Sequence, residues 1–192
     1  MTRRLLLLAV LVPGLAFALK PVESAKPVSP SKGEFQAQLP PGWIYDTSRN
    51  AIMAWHDGPL LNQIIVSITP HKDAFKNAKR LSTPTTTPED LAESYIASLQ
   101  AGPAALHDVV VIASDPAELA GRPAFRVLLK YHAAEIESGA EMEICTLGVA
   151  LDSGVMLATF RAPMIHFFER SLPDFEAAAK SVELIAPPPP HK

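Results

Sequence analysis

Apolar and polar residues alternate from Glu34 to Leu39, which places Phe35, Ala37 and Leu39 on one face of a strand. A Pro-Pro-Gly turn then leads into Trp43-Ile44-Tyr45, and a further strand covers Ala51–Trp55. Asp57-Gly58 in the run His56-Asp57-Gly58-Pro59 is a strong turn signal. Asn62–Thr69 reads N-Q-I-I-V-S-I-T, β-branched and nearly continuous, and so predicts a central strand covered on both faces and ended by Pro70. Strands dominate the second half as well: Asp108–Ala113, Ala124–His132, Glu141–Ala150 and Val155–Arg161, with Asp152-Ser153-Gly154 turning between the last two.

Helical periodicity is clearest after Thr87. Thr87 caps, Pro88 suits the first helical position, and Glu89 and Asp90 complement the positive end of the helix dipole. Leu91, Tyr95 and Leu99, with Ala92 and Ile96, then make one apolar stripe until Gly102-Pro103. Residues 71–87 are polar and hold one helical turn around Asp73–Lys79. A last helix occupies part of Met164–Ser181, with Phe167, Phe168, Phe175 and Ala179 for its buried side and Pro173 as a break or fresh start, and Val182–Ile185 is a short closing strand. Strands, helix, strands, helix is the order of an α+β fold with a mainly antiparallel sheet.

Glu118–Val127 (E-L-A-G-R-P-A-F-R-V) raises the question of an anion-holding loop. Gly121 supplies turn geometry and Pro123 fixes the entry to the next strand, which sends Phe125 and Val127 to the core. Arg126 falls on the opposite face and Arg122 at the tip, in solvent. Because Pro123 removes a free N–H, a turn is favoured over an anion nest.

The ends differ from this pattern. Arg3 and Arg4 precede an apolar run, Leu5–Val12, and Ala16-Phe17-Ala18 has the small residues of a cleavage site, so residues 1–18 read as a secretory signal peptide cut after Ala18. Leu5–Leu19 is shorter than the roughly 20 residues of a spanning helix and carries a Pro-Gly break, so no stable anchor is expected after cleavage. No cysteine near the site could carry lipid. Residues 19–33, rich in Pro, Ser and Lys, read as a disordered leader with almost nothing to bury. Residues 34–185 form a single domain, and 186–192 (A-P-P-P-P-H-K) a Pro-rich solvated tail.

Without residues 1–18 the chain keeps 15 basic and 20 acidic side chains, a formal charge of −5. That balance gives no reason to expect nucleic acid or an anionic membrane as a partner. Cys145 is the only cysteine, so an exported chain makes no internal disulfide and stands on its own core.

Chemistry is sparse. None of the nucleophile-elbow, zinc-protease, phosphate-loop or paired-cysteine motifs occurs. The histidines (56, 71, 107, 132, 166 and 191) lie on separate segments with no ligand spacing. His56 and Asp57 are adjacent, and neighbours on an extended chain project to opposite faces, so they are not expected to orient one another. With Trp55 beside it, His56 is a candidate for lining a small-ligand pocket, against the commoner surface-turn histidine. Glu141, Glu143 and Cys145 share one strand face. A hairpin register summing to 273 sets His132 opposite Glu141 and Lys130 opposite Glu143, as ordinary cross-strand charge pairs. Catalytic and metal-binding residues are therefore assigned as none, and no cofactor is expected.

The order of features is itself informative: P-P-G-W, a T-P-E-D-L helix, E-L-A-G-R-P-A-F-R-V, E-I-C-T-L-G-V-A, a D-S-G turn and F-E-A-A-A-K-S-V. It resembles the PsbP-like group, which includes DcrB-like bacterial envelope proteins and a Ran-binding protein sharing their fold. The resemblance implies an α-β-α sandwich with a central antiparallel sheet, and a non-catalytic accessory or binding protein. It carries no catalytic residue set, and this chain departs from lipoprotein relatives in lacking the lipid-bearing cysteine. The leading expectation is a periplasmic or secreted accessory protein with an envelope protein as partner. Alternatives are a small-ligand or metal carrier using His56, His71 or the acidic strand face, and a hydrolase whose site is assembled from isolated residues.

Overall fold

The computed structural model describes residues 19–23, 26–58, 61–102, 105–133 and 140–185. Eleven strands appear among them: β1 (Lys20–Pro21), β2 (Pro27–Val28), β3 (Phe35–Gln38), β4 (Ile44–Thr47), β5 (Ala51–His56), β6 (Asn62–Thr69), β7 (His107–Leu119), β8 (Arg122–His132), β9 (Glu141–Leu151), β10 (Gly154–Pro163) and β11 (Glu183–Leu184). Helices α1 (His71–Ala74), α2 (Pro88–Leu99) and α3 (Glu169–Lys180) complete the frame. Eight strands make one antiparallel sheet in the order β1-β4-β5-β6-β10-β9-β8-β7, and β11-β3-β2 form a small second sheet. The class is α+β.

Local chemistry explains the elements. Thr87 Oγ1 accepts from the Asp90 amide at 3.2 Å, and Pro88 opens α2. Ala120 and Gly121, both at positive φ (53° and 71°), close the β7–β8 hairpin. The turn predicted in E-L-A-G-R-P is thus present, with its left-handed geometry shared by an alanine. Pro173 lies inside α3 and does not end it. At the fifth position of α3 it gives up one intrahelical hydrogen bond, the one an amide there would make to Glu169 O, and the helix continues past it. The β8–β9 register is the expected one, with His132 opposite Glu141 and Lys130 opposite Glu143.

Two apolar clusters hold the sheet. One joins Ile52, Val66, Met156 and Phe160 to Phe175 and Ala179 of α3. Phe160 stacks on Phe168 at 5.2 Å and on Phe175 at 5.7 Å. The other joins Phe125, Val127, Leu129 and Ile144 to Leu91 and Tyr95 of α2. Ile144 and Cys145, neighbours on β9, fall in different clusters because strand side chains alternate. Each fully buried large apolar side chain contributes roughly 1.5–3 kcal/mol.

Two expectations need correction. The segment 19–33, read as a disordered leader, is pinned along its described part. Lys20-Pro21 pair with Tyr45 and Ile44, Pro27-Val28 pair with Gln38 and Ala37, and Val22 is buried, its amide donating to Trp43 O at 2.8 Å. These residues complete otherwise open edges, where proline is tolerated. The second correction concerns β6. Asn62, Ile64, Val66 and Ile68 are buried, but Gln63, Ile65, Ser67 and Thr69 are only half-buried. The strand is central in the sheet and fully covered on one side only.

Candidate interaction surface

Opposed residues of neighbouring strands share a face, so the registers trace rows across the sheet. One row runs Val127–Thr146–Thr159–Ile65–Met53–Asp46. The next runs Leu129–Ile144–Arg161–Gln63–Trp55–Ile44. At the β8–β9 end α2 lies over these rows: Tyr95 bonds Thr146 Oγ1 at 2.7 Å, and Thr146 donates to Thr159 Oγ1 at 3.1 Å. Burial pushes the Tyr95 hydroxyl up to about 12. Past Thr159 the cover changes. Ile44, Met53, Trp55 and Ile65 are half-buried and belong to neither apolar cluster. Trp55 Nε1 and Gln63 Oε1 are shut off from water with no hydrogen-bond partner among the described residues. An unmet buried donor or acceptor costs about 1–3 kcal/mol. Ile44, Met53, Trp55 and Ile65 thus form an apolar group on this half of the face, with Asp46, Gln63 and Arg161 around it.

A polar knot lies on the opposite, α3-covered face, where His56 stands across from Asn62. Asp57 accepts from His56 Nδ1 at 3.0 Å, from Asn62 Nδ2 at 3.2 Å, and from Arg170 of α3. The expectation that His56 and Asp57 cannot meet is overturned by the backbone: Asp57 sits at φ 58°, left-handed, which swings its side chain towards its neighbour. Desolvation raises the Asp57 pKa, but His56 and Arg170 together outweigh it and leave the carboxyl below its ordinary value. Trp43 packs on the His56 ring at 5.6 Å and donates to Asp174 at 3.0 Å. The knot fastens the β5–β6 turn to α3.

The other sequence candidates have structural partners. His71 donates from Nε2 to Leu151 O at 2.8 Å, and its Nδ1 lies 2.9 Å from Ser82 Oγ, latching the loop after β6 to the end of β9. Glu141 pairs with Lys130 at 2.7 Å, diagonal to the Lys130–Glu143 register partner, and Lys130 holds its pKa down. Burial and then Glu169 and Glu141 push Glu143 up. Cys145 is fully buried, and desolvation lifts its thiol to about 11. Arg126 pairs with Glu176 at 3.3 Å beside a groove of about 420 Å³ also lined by Glu118 and Lys180. Mixed charges there select no ligand. Among the described residues no three His, Cys, Asp or Glu side chains meet at one point.

The free edge β7 exposes Val110, Val111 and Ile112, but two register shifts, Pro116 and the flanking Asp108 and Asp115 interrupt it. Such irregularities keep an edge from pairing with another strand.

No family model matches the chain, and comparison with curated proteins finds no match. Solved structures do match. The Ran-binding protein Mog1p of Saccharomyces cerevisiae has a TM-score of 0.54 at 10% identity, over 84% of this chain and 96% of its own. LpqN, involved in cell envelope biogenesis of Mycobacterium tuberculosis, has a TM-score of 0.50 at 14% identity, over 84% and 90%. Cyanobacterial PsbP from Synechocystis sp. PCC 6803 reaches 0.47 at 12% identity, over 93% and 99%. The chain spans 47% of the length of a matching Bacteroides thetaiotaomicron structure and 46% of the immunity protein TplEi of Pseudomonas aeruginosa. The protein has an α+β fold like that of Mog1p and LpqN. At such identities the likeness is one of fold.

Proposed function

We propose that this is an exported, non-catalytic accessory protein of the bacterial cell envelope, which binds another envelope protein through the half-covered sheet face. The observation that carries the reading is the patch of Ile44, Met53, Trp55 and Ile65, apolar yet outside both cores. These half-buried side chains share one sheet face, where a partner would complete the cover that α2 gives the neighbouring strands. The charged, broken N-terminal run and Ala16-Phe17-Ala18 support export with cleavage after Ala18, to the periplasm or the medium. Two fold relatives point the same way in kind: one is named for binding a protein, the other for envelope biogenesis. The layering we infer is an α-β-α sandwich, with α2 and α3 on opposite sides of the large sheet.

Affinity capture from the periplasm of the source cell tests this, comparing the native protein with an Ile65→Lys variant shown by circular dichroism to be folded. One stoichiometric envelope partner, lost from the variant, supports the reading. Turnover in a hydrolase substrate panel, or equal capture by both proteins, contradicts it.

A further inference from the structure

We infer that the partner grips the edge of β4 with an extended segment that takes the place of the chain's own β1; this rests on the accessory-protein reading above. The large sheet ends in β7 on one side and in β1 on the other, and the bulges of β7 leave the β1–β4 side as the one to extend. β1 itself shows what that edge accepts. Lys20 and Pro21 pair with Tyr45 and Ile44, and the Val22 amide donates to Trp43 O at 2.8 Å. The Val22 side chain is buried in the cluster that also holds Trp43 and Phe175. The edge thus reads a backbone ladder plus one aliphatic side chain in the Val22 socket, the chemistry of strand addition.

β1 is held lightly: it is two residues long, pairs on one side only, and has Val22 as its buried anchor. Pro21 sets its behaviour. Ladder groups point to alternate sides along an antiparallel strand. Trp43 O points to the strap, so Ile44 turns its groups to β5, and Pro21 opposite Ile44 loses no bond to β4 by lacking an N–H. The missing donor is on the outer side, where it discourages a further strand. The strap therefore satisfies β4 and blocks growth beyond itself. A partner segment keeps every bond that β1 makes and reaches further, because Asp46 and Thr47 have no register partner on β1. The edge also borders the half-covered face: Pro21 extends the row Gln63–Trp55–Ile44 by one place.

The test locks the strap. Lys20→Cys and Tyr45→Cys place thiols at register partners, where a disulfide joins them, while Cys145 stays buried. The probe is a labelled synthetic peptide of residues 19–26 carrying Pro21→Val. The reduced protein should bind it at least about tenfold more tightly than the oxidised one. Val22→Asp, which removes the anchor of the strap, should bind it as well as the reduced form; circular dichroism checks that every form is folded. The envelope partner captured by the native protein should be lost from the oxidised form, return on reduction, and be competed off by the peptide. Equal capture by both redox forms overturns the inference and leaves the accessory reading standing. So does peptide binding that is equal in both forms, or absent from the reduced and Val22→Asp proteins. A dimer present in the reduced form and absent from the oxidised one names a second copy as the occupant and also overturns it. No protein captured by the native chain sinks the accessory reading and this inference together.

Discussion

His56 Nδ1 stands 3.0 Å from Asp57 Oδ2, although the two are neighbours in the chain. The left-handed backbone at Asp57 makes the contact, and Arg170 then ties the turn to α3. Asp57 has a lowered pKa, so the sign follows: its contribution is present above the unfolded value near 3.8 and disappears as pH falls through the folded one. Asp57→Asn, which keeps the left-handed preference, should lower the melting temperature at pH 7 by about 1–3 °C, since the pair is partly solvent-screened. The gap should narrow as pH falls below 3.8 and through the lowered folded value. A gap that does not change with pH would show that the aspartate acts through shape and not charge.

Gly148 lies within β9 under the Phe125 ring. A Cβ there would fall 2.4 Å from Phe125 and 2.7 Å from Leu157. Gly148→Ala is expected to destabilise by about 1–3 kcal/mol in urea unfolding, because the buried ring must move. An unchanged midpoint would mean that Phe125 has another place to go.

Tyr95, Thr146 and Thr159 form a buried hydroxyl chain beneath α2. Tyr95→Phe should cost about 1 kcal/mol, the net worth of one hydrogen bond. With its pKa at about 12, Tyr95 should stay un-ionised at pH 11 in an ultraviolet titration. Ionisation of all three tyrosines below pH 11 in the folded protein would contradict its burial.

Cys145 should not react with Ellman's reagent in the native state at pH 8, and should react fully in 6 M guanidinium. Full burial and a thiol lifted to about 11 leave neither access nor thiolate. Rapid native labelling would show that the strand opens.

Much of the frame was legible because it rests on local signals. The Thr87–Pro88 cap, the Ala120-Gly121 hairpin and the β8–β9 register follow from residue types at fixed offsets, and each is present in the fold. What misled is non-local. Isoleucine at 65 looks the same whether its face meets a helix of its own chain or of another, so N-Q-I-I-V-S-I-T read as a strand covered on both sides. Pairing of residues 19–33 depends on edges of β3 and β4 that composition does not reveal. The interaction surface could have been sensed from Met53 and Trp55, both on the face opposite Ile52 and Ala54. Alternation leaves them pointing away from the core, where polar residues are usual. The His56–Asp57 contact escaped because the period-two rule fails at a left-handed residue.

The central claim is that partner binding covers the Trp55 side of the sheet, and the two indole N–H resonances report on it directly. Trp43 Nε1, on the α3 side, is bonded to Asp174, whereas Trp55 Nε1 has no hydrogen-bond partner among the described residues. On adding the captured partner to ¹⁵N-labelled protein, the Trp55 indole signal should shift while the Trp43 signal stays in place. A saturating partner that leaves the Trp55 signal unmoved would contradict the account.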